Sequence, residues 1–314
     1  MKKYTSKLNF RDYGVLIGFV VLCIAISMAT PAFLSKQNVL NLLRQSSIIG
    51  IISAGMTFVI ISGNFDISVG AVAALSGVIV MRLATTGTNL FLAIIAAIVV
   101  CAIIGLVNGI MVAKVNVPSL IATMAMVTIV RGILLMITGG YPITQTIPML
   151  DSLGNGYFLG IPMPVIVFIL VVIVSYIILT QTKFGRHVYS IGGNQDASKL
   201  NGINVDSQKI KVFIINAVLA AIAGLVLTGR LGTASPVAGD SYDMDAIASV
   251  VIGGTSVSGG SGSVLKTIIG VLLMSVINNS FNLLGIDIFF QYIFKGLIIL
   301  VAVGFDSYSK KKLA

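Results

Sequence analysis

The sequence predicts an all-α polytopic membrane helix bundle of about ten transmembrane helices, and three observations carry that reading. Charged residues are only 10% of the 314 and hydrophobic residues 57%, whereas soluble domains carry about a quarter charged residues. Four runs lack any charge: 13–35, 45–65, 83–113 and 152–182. Each is long enough for the roughly 20 apolar residues that a helix needs to cross the hydrocarbon core. Finally, the chain lacks the short alternating segments that a membrane β-barrel requires.

Charge gaps, Gly/Pro breaks and length place ten spans, at about 13–34, 46–62, 67–83, 90–112, 117–138, 162–181, 211–229, 242–258, 265–284 and 288–306. All lie in a single transmembrane domain, residues 1–314. The first run is too long for a cleavable signal and reads as a retained helix. The second and third spans flank Ser62-Gly63-Asn64-Phe65-Asp66 and could be one broken element. The eighth is the weakest, opening with three aspartates and ending in glycine.

An even number of spans puts both termini on one side. That side collects Lys2, Lys3, Lys7, Arg11, Lys114, Lys183, Arg186 and Lys310 to Lys312, among others, and leaves Lys36, Arg44, Arg82 and Arg230 opposite. The excess of positive charge predicts cytoplasmic termini. It also accounts for the net charge of +10 without a nucleic-acid partner.

Two connections are long. Residues 139–161 face outward and are rich in Gly and Pro. Residues 182–210 face inward and mix both charge signs with short apolar steps at Ala197, Leu200 and Ile203. A loop of that length in a compact protein usually has a task. Asp196 is expected to cap a short helix from Ala197 to Asn201, as in a docking element. An ordinary charged loop has the same composition, so the residues alone leave both readings open.

Chemical motifs are sparse. The segment Gly253 to Ser263 is glycine-rich but lacks the Gly-Lys-Ser/Thr ending that grips phosphate. No cofactor is therefore expected in this chain. His187 is the sole histidine and has no Cys or His partners nearby, so no metal site is expected and a surface histidine is the plain reading. Cys23 and Cys101 lie in apolar runs and read as small fillers. No catalytic group of nucleophile, base and orienter is recognisable. Asp240, Asp243 and Asp245 come closest, but Asp243 and Asp245 would point to different helix faces.

Several motifs then occur in a fixed order. They are Gly63-Asn64-Phe65-Asp66-Ile67-Ser68-Val69-Gly70, Gly105-Leu106-Val107-Asn108-Gly109, Pro118-Ser119-Leu120-Ile121-Ala122-Thr123 and Arg131-Gly132. After them come Gly185-Arg186-His187-Val188-Tyr189, Gly192-Gly193-Asn194, Gly202-Ile203-Asn204-Val205, Asp245-Ala246-Ile247-Ala248, Gly253-Gly254-Thr255-Ser256 and Gly259-Gly260-Ser261-Gly262-Ser263. In this order they resemble ribose-type ABC sugar importer permeases, within the branched-chain amino acid/sugar permease superfamily. Asn64-Phe65 departs from the glycine and isoleucine usual in that family.

The resemblance implies a transmembrane subunit, not an enzyme, in a bacterial cytoplasmic membrane. It would pair with a second permease subunit, identical or not, with the pathway between them. Two ATP-binding cassette subunits holding ATP and Mg would dock below, and an extracytoplasmic binding protein would deliver a monosaccharide such as ribose. It further implies that 182–210 is the ATPase-coupling loop, with Gly185, Arg186, His187, Gly193, Asn194, Leu200 and Gly202 as its candidate residues.

Polar residues inside spans supply the remaining candidates. Asn108, Asn216, Asn278 and Asn282 suit a path for a neutral sugar, although asparagine also serves as interhelical glue. Asp66, Arg131 and Lys295 are intramembrane charges that must pair, face a cavity or sit near an interface. An Asp66–Arg131 pair is one expectation. A stand-alone ion-coupled transporter remains the rival reading.

Overall fold

The computed structural model describes residues 10–311. Lys2, Lys3, Lys7 and Lys312, which helped to orient the chain, lie outside the described residues.

In chain order the helices are α1 (Phe10–Ala29), α2 (Lys36–Ile61), α3 (Val69–Thr85), α4 (Leu90–Ala113), α5 (Ser119–Thr138), α6 (Pro148–Asn155), α7 (Met163–Gln181), α8 (Lys183–Gly193), α9 (Gln195–Leu200), α10 (Val205–Leu231), α11 (Tyr242–Ile252), α12 (Val264–Leu283) and α13 (Ile288–Lys311). Four two-residue strands punctuate them: β1 (Ile143–Thr144), β2 (Tyr157–Phe158), β3 (Ile161–Pro162) and β4 (Thr233–Ala234). β1 pairs antiparallel with β4, and β2 with β3.

Among the described residues, six helices are long and apolar enough to cross a membrane: α2, α4, α5, α7, α10 and α12. Val15–Ala29, Val69–Thr85 and Ile288–Val301 are shorter apolar helices. Exposed Leu92, Val99, Ile129 and Ile173 line the outside of α4, α5 and α7, as a lipid-facing surface requires. The chain is a multi-pass helical membrane protein.

Local chemistry explains the boundaries. Ser35 caps α2 through Asn38 N, at 3.3 Å. The second span therefore starts ten residues earlier than its charge pattern suggests, and Arg44 is helical. Arg44 is accommodated by Tyr157, whose hydroxyl accepts from Nη2 at 2.5 Å and whose ring lies 4.9 Å away.

The eighth span is corrected more sharply. α11 has 11 residues, or about 16 Å at 1.5 Å per residue, roughly half the hydrocarbon thickness. It stops where Gly253 packs against the backbone of Lys266 and Thr267 and Gly254 takes φ +91°. A run of turns at 236–241 precedes it. Together they make a discontinuous element.

α10 is the central helix. Gly105 and Gly109 of α4 approach its backbone at Phe213, Ile214 and Ile210, while Gly224 meets Ala73 and Ser76 of α3. Such contacts let helices pack where lipid supplies no hydrophobic drive. Ser76 Oγ adds a bond to Ala221 O at 2.9 Å. α1 joins a small satellite cluster of Ile26, Phe33 and Val276.

The bundle has two distinct ends. One carries α8, α9 and the glycine turn 253–263. The other carries α6, the β1–β4 ladder and the β2–β3 hairpin.

Candidate functional site

Asp66, Arg131 and Lys295, the charges expected inside the membrane, each have a different environment. Placing a charge at mid-bilayer costs about 2.5–3.5 kcal/mol on insertion scales, so its partners decide what it does.

Asp66 sits in the break between α2 and α3 and is 1% exposed. Its Oδ1 accepts from Ser68 N at 2.9 Å and Ser68 Oγ at 2.5 Å, and its Oδ2 accepts from Asn216 Nδ2 at 2.9 Å. Asn108 Nδ2 donates to Ser68 Oγ at 3.0 Å. Hydroxyls of α5 hold the same break, accepting from Phe65 N (Ser119, 3.1 Å) and Ile67 N (Thr123, 3.2 Å). Asp66 thus ties α3, α4, α5 and α10 together. The expected pair with Arg131 does not form, because Asp66 is enclosed among amides and hydroxyls. Asn108 and Asn216, expected along a path, are sealed in this cluster at 1% and 0% exposure.

Lys295 of α13 reaches both carboxylate oxygens of Asp245 on α11 at 3.0 Å. Asn278 Nδ2 of α12 lies 3.5 Å from Asp245 Oδ2. This ion pair ties α13 to the short helix. Asn282, one turn further along α12, is exposed and accepts from Gln291 Nε2 at 3.2 Å. Neighbouring Asn279 exchanges two bonds with Asn38 of α2, at 2.8 and 3.0 Å, which is helix–helix glue.

Arg131 of α5 is only partly enclosed. Its Nη1 donates to the carbonyls of Pro236 and Ala238, the latter at 3.1 Å. Its Nη2 comes within 3.9 Å of Asp240, whose side chain is 76% exposed. Beside it opens a cavity of about 170 Å³, bordered by Ile67, Met124, Thr128, Arg131, Asp240 and Asp243. Asp243 faces this cavity while Asp245 turns to Lys295. The two-residue spacing does separate their faces.

The α8–α9 end is built for rigid contact. Thr182 Oγ1 caps α8 through Gly185 N at 3.1 Å. Gly185 lies against the carbonyls of Ile178 and Leu179. The cap of α9 is Asn194, not Asp196: its Oδ1 accepts from Ala197 N at 2.9 Å. Asn194 is preferred because its extended backbone (φ −159°, ψ 108°) aims the amide oxygen back at the first turn. Ser190 and Ser198 hydroxyls join the two helices at 2.8 Å.

The buried face of α8 rests on α2 and on the glycine turn. Gly192 abuts the Ile61 carbonyl, and Gly260 N donates to that same carbonyl at 2.9 Å. Tyr189 donates to Gly262 O at 2.9 Å, and burial pushes its phenol pKa upward. The outer face carries Arg186, Gly193, Asn194, Leu200 and Gly202, all exposed. Leu200 is 89% exposed, unusual for a leucine ending a charged helix. His187, read as a surface residue, is half-buried with an enclosed Nδ1 lacking a hydrogen-bond partner.

A family model described as branched-chain amino acid transport system / permease component matches residues 38–303. The chain belongs to this permease family. It is 45% identical to the ribose import permease protein of Bacillus subtilis (strain 168), over 93% of this chain and 92% of that one. It is 44% identical to the ribose import permease protein of Haemophilus influenzae over the full length of both. A xylose transport system permease protein of H. influenzae is 37% identical, over 98% of this chain and 99% of the other. No solved structure matches the chain.

Some residues of this permease escaped the reading of the sequence. Ser68 is the hub of the Asp66 cluster, yet a lone serine carries no signal beyond its motif. Tyr189 and Gly192 lie in recognised motifs, but only the fold shows that they grip the glycine turn. Asp240 and Asp243 read in the sequence only as an acidic group without catalytic spacing.

Proposed function

We propose that the chain is the permease subunit of an ATP-driven ABC importer that carries ribose or a related pentose into the cytoplasm. The observation that carries this reading is that ribose import permeases align with 93% to 100% of the chain. The subunit is a transport component and not an enzyme. In this reading residues 1–314 are one transmembrane domain of a bacterial inner-membrane protein, with both termini cytoplasmic. Two permease subunits enclose the path, two ATPase subunits hold ATP and Mg below, and a binding protein delivers the sugar from outside.

The geometry supports a coupling role for α8–α9. Arg186 and Leu200 supply a charge for register and an apolar anchor, the combination that docking surfaces use. Behind them, the contacts of Gly192 with Ile61 and Tyr189 with Gly262 leave no slack. A push on α8 therefore moves the end of α2 and the turn joining α11 to α12. Outward and inward states would be biased through these two points.

The test compares wild type with Arg186→Ala and Leu200→Ala, each reconstituted with the ATPase and the binding protein. Losing an apolar anchor costs about 1–2 kcal/mol of docking, so ATPase co-purification and ATP-driven uptake are both expected to fall several-fold in Leu200→Ala. Unchanged docking and uptake in both variants would remove α8–α9 from the coupling role.

A further inference from the structure

We infer that the cavity between α5, the start of α3 and the 235–243 segment is a sugar-contacting station on the translocation path, with Asp240, Asp243 and the free edge of Arg131 taking the hydroxyls. The inference rests on the importer reading and names the contact residues within it.

Position is the first observation. Arg131 lies well inside the apolar helix α5, which runs from Ser119 to Thr138, and Asp240 beside it is exposed. Charges at that depth are tolerated where they face protein or water, not lipid chains. The face that bears them therefore opens onto an aqueous path or its enclosing partner subunit. By contrast, the exposed residues of α4, such as Phe91, Ile95 and Val99, are uniformly apolar.

The second observation is space. About 170 Å³ is open here, room for several waters. That suits a small polyol.

The third is chemistry. The Nη1 of Arg131 is spent on two carbonyls, while Nη2 has only the 3.9 Å approach to Asp240 among the described residues. Two carboxylates and one guanidinium offer acceptors and donors side by side, which matches a neutral ligand with adjacent hydroxyls. Ile67 and Met124 supply an apolar wall.

Backbone strain marks the same spot. Ser241 holds φ +63° at the head of α11, a left-handed conformation that non-glycine residues adopt at a cost and that clusters at functional sites. The opposite end of α11 leads into the glycine turn under Tyr189. One short rigid helix thus joins the cavity to the α8–α9 end.

The test uses the reconstituted transporter with Cys23→Ser and Cys101→Ala as background, first checked for ATP-dependent uptake. Thr128→Cys, at the cavity edge, is treated with a charged, membrane-impermeant methanethiosulfonate, and Ile95→Cys on α4 serves as the lipid-facing control. Labelling of Thr128→Cys but not of Ile95→Cys, slowed by saturating ribose with binding protein, is expected. Separately, Asp240→Asn with Asp243→Asn is expected to lower uptake by about tenfold or more, the worth of one hydrogen bond to a charged group, while binding-protein-stimulated ATP hydrolysis persists. If uptake is intact in the background but Thr128→Cys stays as inert as the control, or the double variant transports normally, the station is wrong and the importer reading survives. If the background shows no ATP-dependent uptake of any pentose although the native-cysteine complex does, the labelling is repeated on Thr128→Cys with the native cysteines retained. If the native complex shows none either, the importer reading itself fails.

Discussion

Asp66 and Arg131 flank the start of α3, both inside the membrane bundle, yet their surroundings are opposite. Around Asp66 both carboxylate oxygens have donors close by, and four helices close over it. Arg131 has partners on one edge only and borders open space. The Asp245–Lys295 pair belongs with the first kind, its side chains being 6% and 16% exposed. The contrast shows that a charge within a span does not by itself mark a transport site. A charge whose partners are all internal fastens helices; one left half-satisfied beside a cavity can meet a ligand.

That distinction can be broken by substitution, and the largest effect is expected at Lys295. Lys295→Met would strand the buried Asp245 carboxylate, costing about 3–5 kcal/mol, and adding Asp245→Asn should recover most of the loss. Thermal unfolding of the purified detergent-solubilised protein reads both, and equal stability of all three forms would contradict a structural ion pair. Asp66→Ala comes next. It leaves the Ser68 N–H without its acceptor, at about 1–3 kcal/mol for a buried group, while the Ser68 hydroxyl and Asn216 amide are free to rotate to other acceptors, so a clear fall in midpoint is expected, with Asp66→Asn intermediate. Smallest is Asp240→Ala. An exposed pair at 3.9 Å is worth about 0–1 kcal/mol, so the midpoint should barely move. If Asp240→Ala destabilised the protein as much as Asp66→Ala, the contrast between sealed and open sites would collapse.

Much of this organisation was legible in the sequence because it is local. The break at 62–68 and the glycine-rich stretch 253–263 are written in consecutive residues, and closely packed glycines such as Gly105 and Gly109 fall inside apolar runs, whereas the long connection 182–210 is mostly helical, made of α8, α9 and the start of α10. Partnerships were not legible. Asp66 and Asn216 lie 150 positions apart, and nothing in either segment names the other. Arg44 looked like a span boundary because the stacked Tyr157 that shelters it belongs to a distant hairpin. The weakness of the eighth span was legible in its aspartates and glycines, but not the point at which the helix ends, Ile252. Asn194 displaced Asp196 as the α9 cap because cap choice depends on one residue's backbone angle.

The decisive experiment is uptake of labelled ribose into proteoliposomes. The vesicles would hold this chain with its ATPase and binding protein, with ATP inside or outside, and with proton or sodium gradients imposed in its place. Uptake is expected to require ATP on the ATPase side and all three components. Uptake by this chain alone, driven by an ion gradient, would contradict the importer reading and make the protein a secondary transporter.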